Sequence, residues 1–497
     1  MMQANEHAPS ALYDVVVIGG GIVGCAVLWE LAKYDLKLLL LERGPDVATG
    51  ISKANSGILH TGFDAPPGTL EAALVTAASH RFPDVCKLLD VPIRRCGAIM
   101  VALNEEDLQA CEEVLEQARA NGVHDVQRLS RAQLLEMEPN VNPCAVGGLL
   151  IPRESVSCSA RLTIAYAESA VLNGAEVGLN EPVLGLAPTP DGLLLQTPRR
   201  QVQTRFAVNA AGLYADDVAR LVGDESFRIT PRKGEFFVLD RHASGIVSHI
   251  VLPVPTPTTK GILVAPTVDG NLIVGPTADD IQDKADVATT ADGLRRVAEG
   301  ARRLVPSLRP EQYAIAQYAG LRSVCSTGRF EIRPSCACPR LIHAAGIRST
   351  GLSASPEIAR TVRELLAAAG LSLKERPGYR PERPGIQRVR DADPEQLERL
   401  YSLDSRYAHL VCRCEHISEA ELVRAIHSPI PARTLDALKR RVRVGTGRCQ
   451  GGFCTPRVLE ILARELGLPP DSICKDAPGS ELLVGPNKWR WMQAHED

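Results

Sequence analysis

Four cysteines carry the most specific chemistry in this chain: Cys412-x-Cys414, a gap of 34 residues, then Cys449 and Cys454 with four residues between them. Four thiolates at this spacing suit a [2Fe–2S] cluster. A zinc site made from the same thiolates is the alternative, but zinc ribbons favour CxxC pairs on both sides and neither half here is CxxC. Lys439, Arg440, Arg441, Arg443, Arg448 and Arg457 crowd the second pair. Cations there would stabilise the net negative charge of two irons held by four thiolates. The other ten of the 14 cysteines are scattered, mostly in apolar stretches, where a free thiol behaves as a small hydrophobe. Nothing resembling an export signal precedes them, so a metal site is favoured over a disulfide framework.

A second constellation, Gly19-x-Gly21-x-x-Gly24, is followed by Glu42. Gly19 permits a tight turn, and Gly21 lets the backbone approach a pyrophosphate seated at a helix N-terminus. Gly24 allows the helix to pack closely on its strand. Glu42 can accept hydrogen bonds from a ribose diol and would repel a 2′-phosphate. The fingerprint specifies dinucleotide binding without choosing between FAD and NAD.

These groups require particular elements behind them. Tyr13–Ile18 reads YDVVVI, the unbroken β-branched run of a strand buried on both faces. A helix should follow to about Lys33 and a second strand at Leu36–Leu41, completing a βαβ unit. Asn104 is placed to cap a helix over Glu105–Ala120 that Gly122 stops, and Ser130 with Gln133 forms a capping box. Short strands with turn signals fill 177–280, a strand lies near 341–346, and a helix spans about Pro356–Ala369. The stretch 371–408, with Pro377, Pro381, Pro384 and Pro394 among many charges, reads as a linker. A compact unit at 409–470 and a tail at 471–497 carrying Trp489 and Trp491 complete the chain.

At 497 residues the prior is about three units of roughly 150 residues. A net charge of -3 with no polybasic tract argues against nucleic acid as the main partner. No apolar run approaches the ~20 residues of a transmembrane helix. The first residues, MMQANEHAPSALYD, lack the basic and apolar regions of a secretory signal. The chain therefore reads as cytoplasmic, with a peripheral membrane position left open.

The ordered segments YDVVVIGGGIVG, LLLLERG, KANSGILHTGF (53–63), VNAAGLYADDVA (208–219), PRKGEFFVLD (231–240) and AAGIRSTGLSASP (344–356) resemble the D-amino-acid-oxidase-type flavoproteins. Among these they are most similar to the FAD-dependent glycerol-3-phosphate dehydrogenases, over about residues 12–370. The resemblance implies an α/β fold with a Rossmann-like, discontinuous FAD-binding part (about 12–90, 145–225 and 310–370). It implies an antiparallel, β-rich substrate part at about 91–144 and 226–309. FAD is then the cofactor, with its ADP half on the first βαβ unit. Asn55-Ser56-Gly57 would run beside the flavin, Ala211-Gly212 would support it, Arg348 would stand in the flavin-proximal turn, and Gly351-Leu352 would lie at the pyrimidine end.

The resemblance also nominates the reacting groups. His60, in the flavin-adjacent segment, suits the base that takes a hydroxyl proton, with a structural histidine as the equal alternative. Arg322, after Ala319-Gly320, matches the substrate-binding arginine and suits bidentate recognition of phosphate or carboxylate; a surface ion pair is its alternative. Lys233 reads as a strand-edge charge, with an anion clamp as its alternative, and His242, His249 and His343 as structural. VCRCEHISEAELVRAI…GTGRCQGGFC resembles the bacterioferritin-associated-ferredoxin-like domain, small and mostly helical, which is fused to several flavin dehydrogenases.

The implied reaction is oxidation of sn-glycerol 3-phosphate to dihydroxyacetone phosphate, hydride passing to flavin and electrons leaving through the [2Fe–2S] cluster. The alternatives are an L-2-hydroxy acid oxidase or dehydrogenase acting on a substrate such as 2-hydroxyglutarate, an amino-acid or opine oxidase, and a redox-sensing subunit with an inactive flavin site. The implied partners are a small anionic substrate and a protein or quinone electron acceptor, with further subunits left open. The basic run Arg440–Arg448 reads either as a dock for an acidic acceptor or as charge balance for the cluster.

Overall fold

The long-range strand pairings of this chain build two large sheets, and residues of both line one cavity. The computed structural model describes residues 12–256 and 260–485 and divides into two units, 1–385 and 386–497. Trp489 and Trp491 lie outside the described residues.

In the first unit β1 (Tyr13–Ile18), helix α1 (Ile22–Leu31) and β2 (Leu38–Leu41) form the expected βαβ unit. β1 pairs in parallel with β2 on one side and with β3 (Gln201–Asn209) on the other. Strands Glu176–Gly178 and Leu341–Ala345 extend the parallel core outward. Helices cover this core, so Val15, Val16 and Val17 are all fully buried. At about 1.5–3 kcal/mol for each large apolar side chain removed from water, such a run fixes the strand in place.

The second sheet has nine strands and centres on β4 (Ile229–Leu239), whose partner β5 (Ala314–Cys325) runs antiparallel along its whole length. One pair in it, Ile250–Pro253 with Ala98–Ala102, is parallel, so the sheet is mixed rather than wholly antiparallel. Strands Gly147–Ile151 and Ala314–Cys325, expected in the FAD-binding part, also hydrogen-bond into this second sheet. Their apolar patterns fit either sheet, and only the partner strands decide membership.

Local signals located the helix ends well. Asn104 accepts from the Asp107 amide at the start of Glu105–Ala120, and the Ser130–Gln133 capping box forms. One boundary differs. Helix α2 spans Gly351–Ala368, with Pro356 inside rather than at its start. The Ser355 hydroxyl donates to the Leu352 carbonyl, the acceptor that proline leaves without an N–H partner.

The stretch 371–408 is not an open spacer. Arg376 donates to the carbonyls of Ala32 and Leu36, and Arg383 pairs with the buried Glu168, tying 371–385 onto the first unit. Beyond it, helix Pro394–Leu403 is capped by Asp393, and Leu400 and Tyr407 pack with Ala420 in the second unit. Charged residues here anchor chain to chain, a role that a composition count cannot distinguish from solvation.

The second unit is mostly helical: α3 (Glu419–Ile426), α4 (Leu435–Val442) and α5 (Thr455–Leu466) close around Leu422, Leu438 and Leu462. Ile473 is buried in the same core, so the tail expected from 471 begins as part of this unit. Among the described residues no helix is long and apolar enough to cross a membrane.

Candidate active site and candidate iron–sulfur centre

The first unit contains a cavity of about 980 Å³ that runs from the glycine turn after β1 to His60 and Arg322. At the turn, Gly19 has φ +109°, and a Cβ there would stand 2.5 Å from the Ala210 carbonyl oxygen. A Cβ on Gly24 would stand 2.0 Å from the Gly19 carbonyl oxygen, so α1 packs on β1 only with glycine at that position. Gly21 is different: a Cβ would meet only the Ser52 hydroxyl, at 3.4 Å, and this face borders the cavity. The Glu42 carboxylate accepts from the amides of Gly20 (2.6 Å) and Gly44 (2.7 Å) while lining the cavity. Each of its oxygens keeps a second lone pair, so bracing the turn is compatible with receiving a ribose diol.

The other expected cofactor residues divide by role. Asn55, Ser56, Ala211, Gly212, Arg348, Gly351 and Leu352 line the cavity; Gly24 and Gly57 do not. Gly57 lies behind the wall with φ +69°, its carbonyl accepting from Ser157 N. The Asn55 amide nitrogen donates to the Ile51 and Ser52 carbonyls and to Ser159 while its oxygen accepts from Gly57 N, so the side chain holds the loop in shape. Arg348 donates to Glu71, which also receives the Thr350 hydroxyl, so this pair fixes the turn before α2.

At the far end stands His60. Its Nδ1 lies 2.9 Å from Glu154 Oε2, and Glu154 Oε1 accepts from Thr61 N (2.6 Å) and from the Thr61 hydroxyl (3.0 Å). Burial alone would lower the His60 pKa; the adjacent Glu154 carboxylate, helped by Asp64 and opposed by Lys260, holds it above its ordinary value.

Across the cavity is Arg322. Its one protein hydrogen bond runs from Nη1 to the Thr277 carbonyl (3.3 Å), and among the described residues no carboxylate reaches ion-pair distance. Burial, with Arg232 nearby, pushes its pKa down to about 10. The surface-ion-pair alternative is thereby excluded. Gly234 makes room for it: a Cβ there would stand 2.9 Å from both terminal guanidinium nitrogens. The Lys233 ammonium, by contrast, is buried on Asp286 and the Ala288 carbonyl and does not line the cavity.

Several residues that shape the candidate site carry no clear signal in the sequence. Glu154 is wholly buried, 94 positions from His60 in sequence, with no motif around it. Lys260, paired with Asp64 at 2.6 Å, adds a second cation to the cavity wall. Gly320 and Tyr318 support the Asn55 loop. A Cβ on Gly320 would stand 2.0 Å from the Ala54 carbonyl oxygen, and the Tyr318 hydroxyl donates to the Asn55 carbonyl. Only the glycine before Arg322 offered any sequence signal.

In the second unit the four cysteines come together as two pairs. Cys414 Sγ lies 3.6 Å from Cys449 Sγ, and Cys412 shares a hydrogen bond with Cys454. Within each pair one thiol is held below its ordinary value and its partner above it: the Cys454 contact and the backbone amides of Gly445 and Glu415 lower Cys412 while Cys454 is raised, and the Phe453 amide lowers Cys449 while Cys414 is raised. Amides directed at sulfur stabilise thiolate, the form a metal requires. Two thiol pairs are compatible with one pair per iron in a [2Fe–2S] cluster. Gly447 permits the approach, since a Cβ there would stand 2.3 Å from that of Cys414.

The surrounding cations do not form one basic face. Arg440 and Arg441 are 7% and 6% exposed, Arg440 on Asp476 and Arg441 on the Ala437 and Ile430 carbonyls. Arg443 pairs with the buried Glu415. Of the two readings of the run Arg440–Arg448, an acceptor dock or charge balance for the cluster, a dock would lack Arg440 and Arg441, which are buried.

Residues 14–365 match the family model described as FAD dependent oxidoreductase, and residues 410–464 match the BFD-like [2Fe-2S] binding domain. The chain is 39% identical over 477 residues to a glycerol 3-phosphate dehydrogenase of Caloramator mitchellensis, covering 96% of this chain and 99% of that protein. It is 32% identical over 375 residues to a glycerol 3-phosphate oxidase of Mycoplasma pneumoniae, covering 74% and 97%. The FAD-bound structure of the L-alpha-glycerophosphate oxidase from Mycoplasma pneumoniae superposes with a TM-score of 0.71 at 31% identity, covering 75% of this chain and 98% of that one.

Proposed function

This chain belongs to the FAD-dependent oxidoreductase family and carries a BFD-like [2Fe–2S] binding domain, and on that premise we propose that it oxidises sn-glycerol 3-phosphate to dihydroxyacetone phosphate. The observation that carries this reading is Arg322, a half-buried guanidinium facing the cavity with no carboxylate at ion-pair distance among the described residues. A partly desolvated cation without a paired carboxylate is stabilised by an anion that enters beside it. Phosphate, with about two negative charges and three acceptor oxygens, suits a wall that also presents Lys260 and Arg232. The similarity to glycerol 3-phosphate dehydrogenases and oxidases supports the same substrate.

In this reading Arg322 holds the anionic end. His60 takes the hydroxyl proton on Nε2, because Nδ1 is already committed to Glu154. The glycine turn, Glu42 and the Ala211-Gly212 turn would hold FAD, which supplies a hydride acceptor when bound. Cys412, Cys414, Cys449 and Cys454 would hold the one-electron group through which reducing equivalents leave, to a protein or quinone acceptor. The test is anaerobic mixing of the FAD-loaded protein with glycerol 3-phosphate, 2-hydroxyglutarate and amino acids. Fast bleaching of the flavin by glycerol 3-phosphate alone is expected. Faster bleaching by a hydroxy acid or an amino acid would overturn the substrate assignment.

A further inference from the structure

We propose that Glu154 is the positioning residue of the reaction, holding His60 in the one tautomer that can accept the substrate proton. The inference rests on the reading of His60 as the base.

The geometry leaves few choices. A carboxylate only accepts hydrogen bonds, so the 2.9 Å contact places the ring proton on Nδ1. The lone pair is then on Nε2. His60 lines the cavity while Glu154 is wholly buried behind it, and among the described residues Nε2 has no hydrogen-bond partner. The second carboxylate oxygen is fixed by the amide and hydroxyl of Thr61. The His60 amide in turn donates to Ser353 Oγ at 2.8 Å, on the first turn of α2. The ring is thus held from the strand side by Glu154 and from the helix side through its backbone.

Charge reinforces position. When His60 takes a proton, the imidazolium forms against a buried carboxylate rather than in an apolar wall. Among the groups facing it, Glu154 and Asp64 favour that charged form and Lys260 opposes it. The buried Glu154 carboxylate is met by the Thr61 donors and the His60 ring and feels the Lys260 charge, so its place is set by polar partners rather than by packing alone.

Glu154→Gln separates this role from a merely structural one. The glutamine oxygen can keep the Thr61 contacts, but its NH₂ group presents a donor to Nδ1. That forces the ring proton onto Nε2, the wrong nitrogen for a base. We expect flavin reduction to slow by about 10²–10⁴-fold, with substrate affinity changed less than threefold, on the scale of losing one acid–base group. The remaining activity should show its acid limb moved to lower pH, because the carboxylate that raises the His60 pKa is gone. Glu154→Asp, which keeps an acceptor, should recover a substantial part of the rate.

A readout independent of turnover is the ¹⁵N spectrum of histidine-labelled protein without substrate. His60 should carry its proton on Nδ1 in the wild type and on Nε2 in Glu154→Gln, assigned by the loss of that signal in His60→Ala. If His60→Ala slows reduction but Glu154→Gln changes neither rate nor tautomer, Glu154 is structural and the proposal fails. If His60→Ala leaves the rate unchanged, the reading of His60 as base fails first and takes this proposal with it.

Discussion

The two units solve the same problem, holding a redox group, by opposite means. In the second unit the candidate donors all come from residues 412 to 454, the first pair on a short β-hairpin and the second on the turn leading into α5. In the first unit the cavity gathers side chains from Gly19 to Leu352, delivered by two sheets and the first turn of α2. The contiguous site is made of identical side chains whose spacing is itself the signal. The dispersed site is made of unlike side chains whose meaning depends on what faces them. Contiguous chemistry can be moved between proteins as a module, whereas dispersed chemistry is inseparable from its fold.

The largest effect should come from breaking the contiguous site. Cys454→Ser removes one of four ligands, and we expect the iron and the visible absorbance of the cluster to be lost entirely. FAD content and anaerobic bleaching by glycerol 3-phosphate should persist, while turnover with the physiological acceptor collapses. Loss of FAD from this variant would show that the two sites are not independent, and the comparison would break.

Next is the dispersed site. His60→Ala should slow flavin reduction by about 10²–10⁴-fold, the usual range for one general acid–base group. Rapid-mixing absorbance measures this directly, and an unchanged rate would remove His60 from the chemistry. Arg322→Ala should weaken apparent substrate affinity by about 2–4 kcal/mol, roughly 30- to 1000-fold, with FAD content unchanged. Unaltered affinity would mean that another cation holds the anion.

A smaller effect follows from pH. Glu154 holds the His60 pKa above its ordinary 6.5, and only the neutral ring accepts a proton. The reduction rate should therefore be flat at high pH and fall by about tenfold per unit once pH drops below that raised value. A rate independent of pH from 5 to 9 would contradict this. The smallest is Gly320→Ala. The added methyl would stand 2.0 Å from the Ala54 carbonyl oxygen, and relieving it should cost about 1–3 kcal/mol. A lowered Tm together with weaker FAD retention would show that β5 supports the Asn55 loop; an unchanged Tm would show that the loop yields freely.

By itself the sequence determined the βαβ unit, the capped helices and the small thiol-bearing unit. Each of those rests on interactions within a few residues or on a repeated residue type. Val15–Val17 could only be a buried strand, and Asn104 could only begin the helix it caps. The tertiary structure alone decided the rest. Gly147–Ile151 and Ala314–Cys325 joined the second sheet because backbone partners far along the chain were there to receive them. Arg440 and Arg441, which read as a basic surface, were folded inward onto Asp476 and two carbonyls. Glu154 gained its place only when the strand Ser155–Ser157, which it immediately precedes, paired with Ile58–Leu59 just before His60. Charge, burial and hydrogen-bond partner depend on what faces a residue across space, and linear spacing carries that information only where the chain folds back on itself nearby.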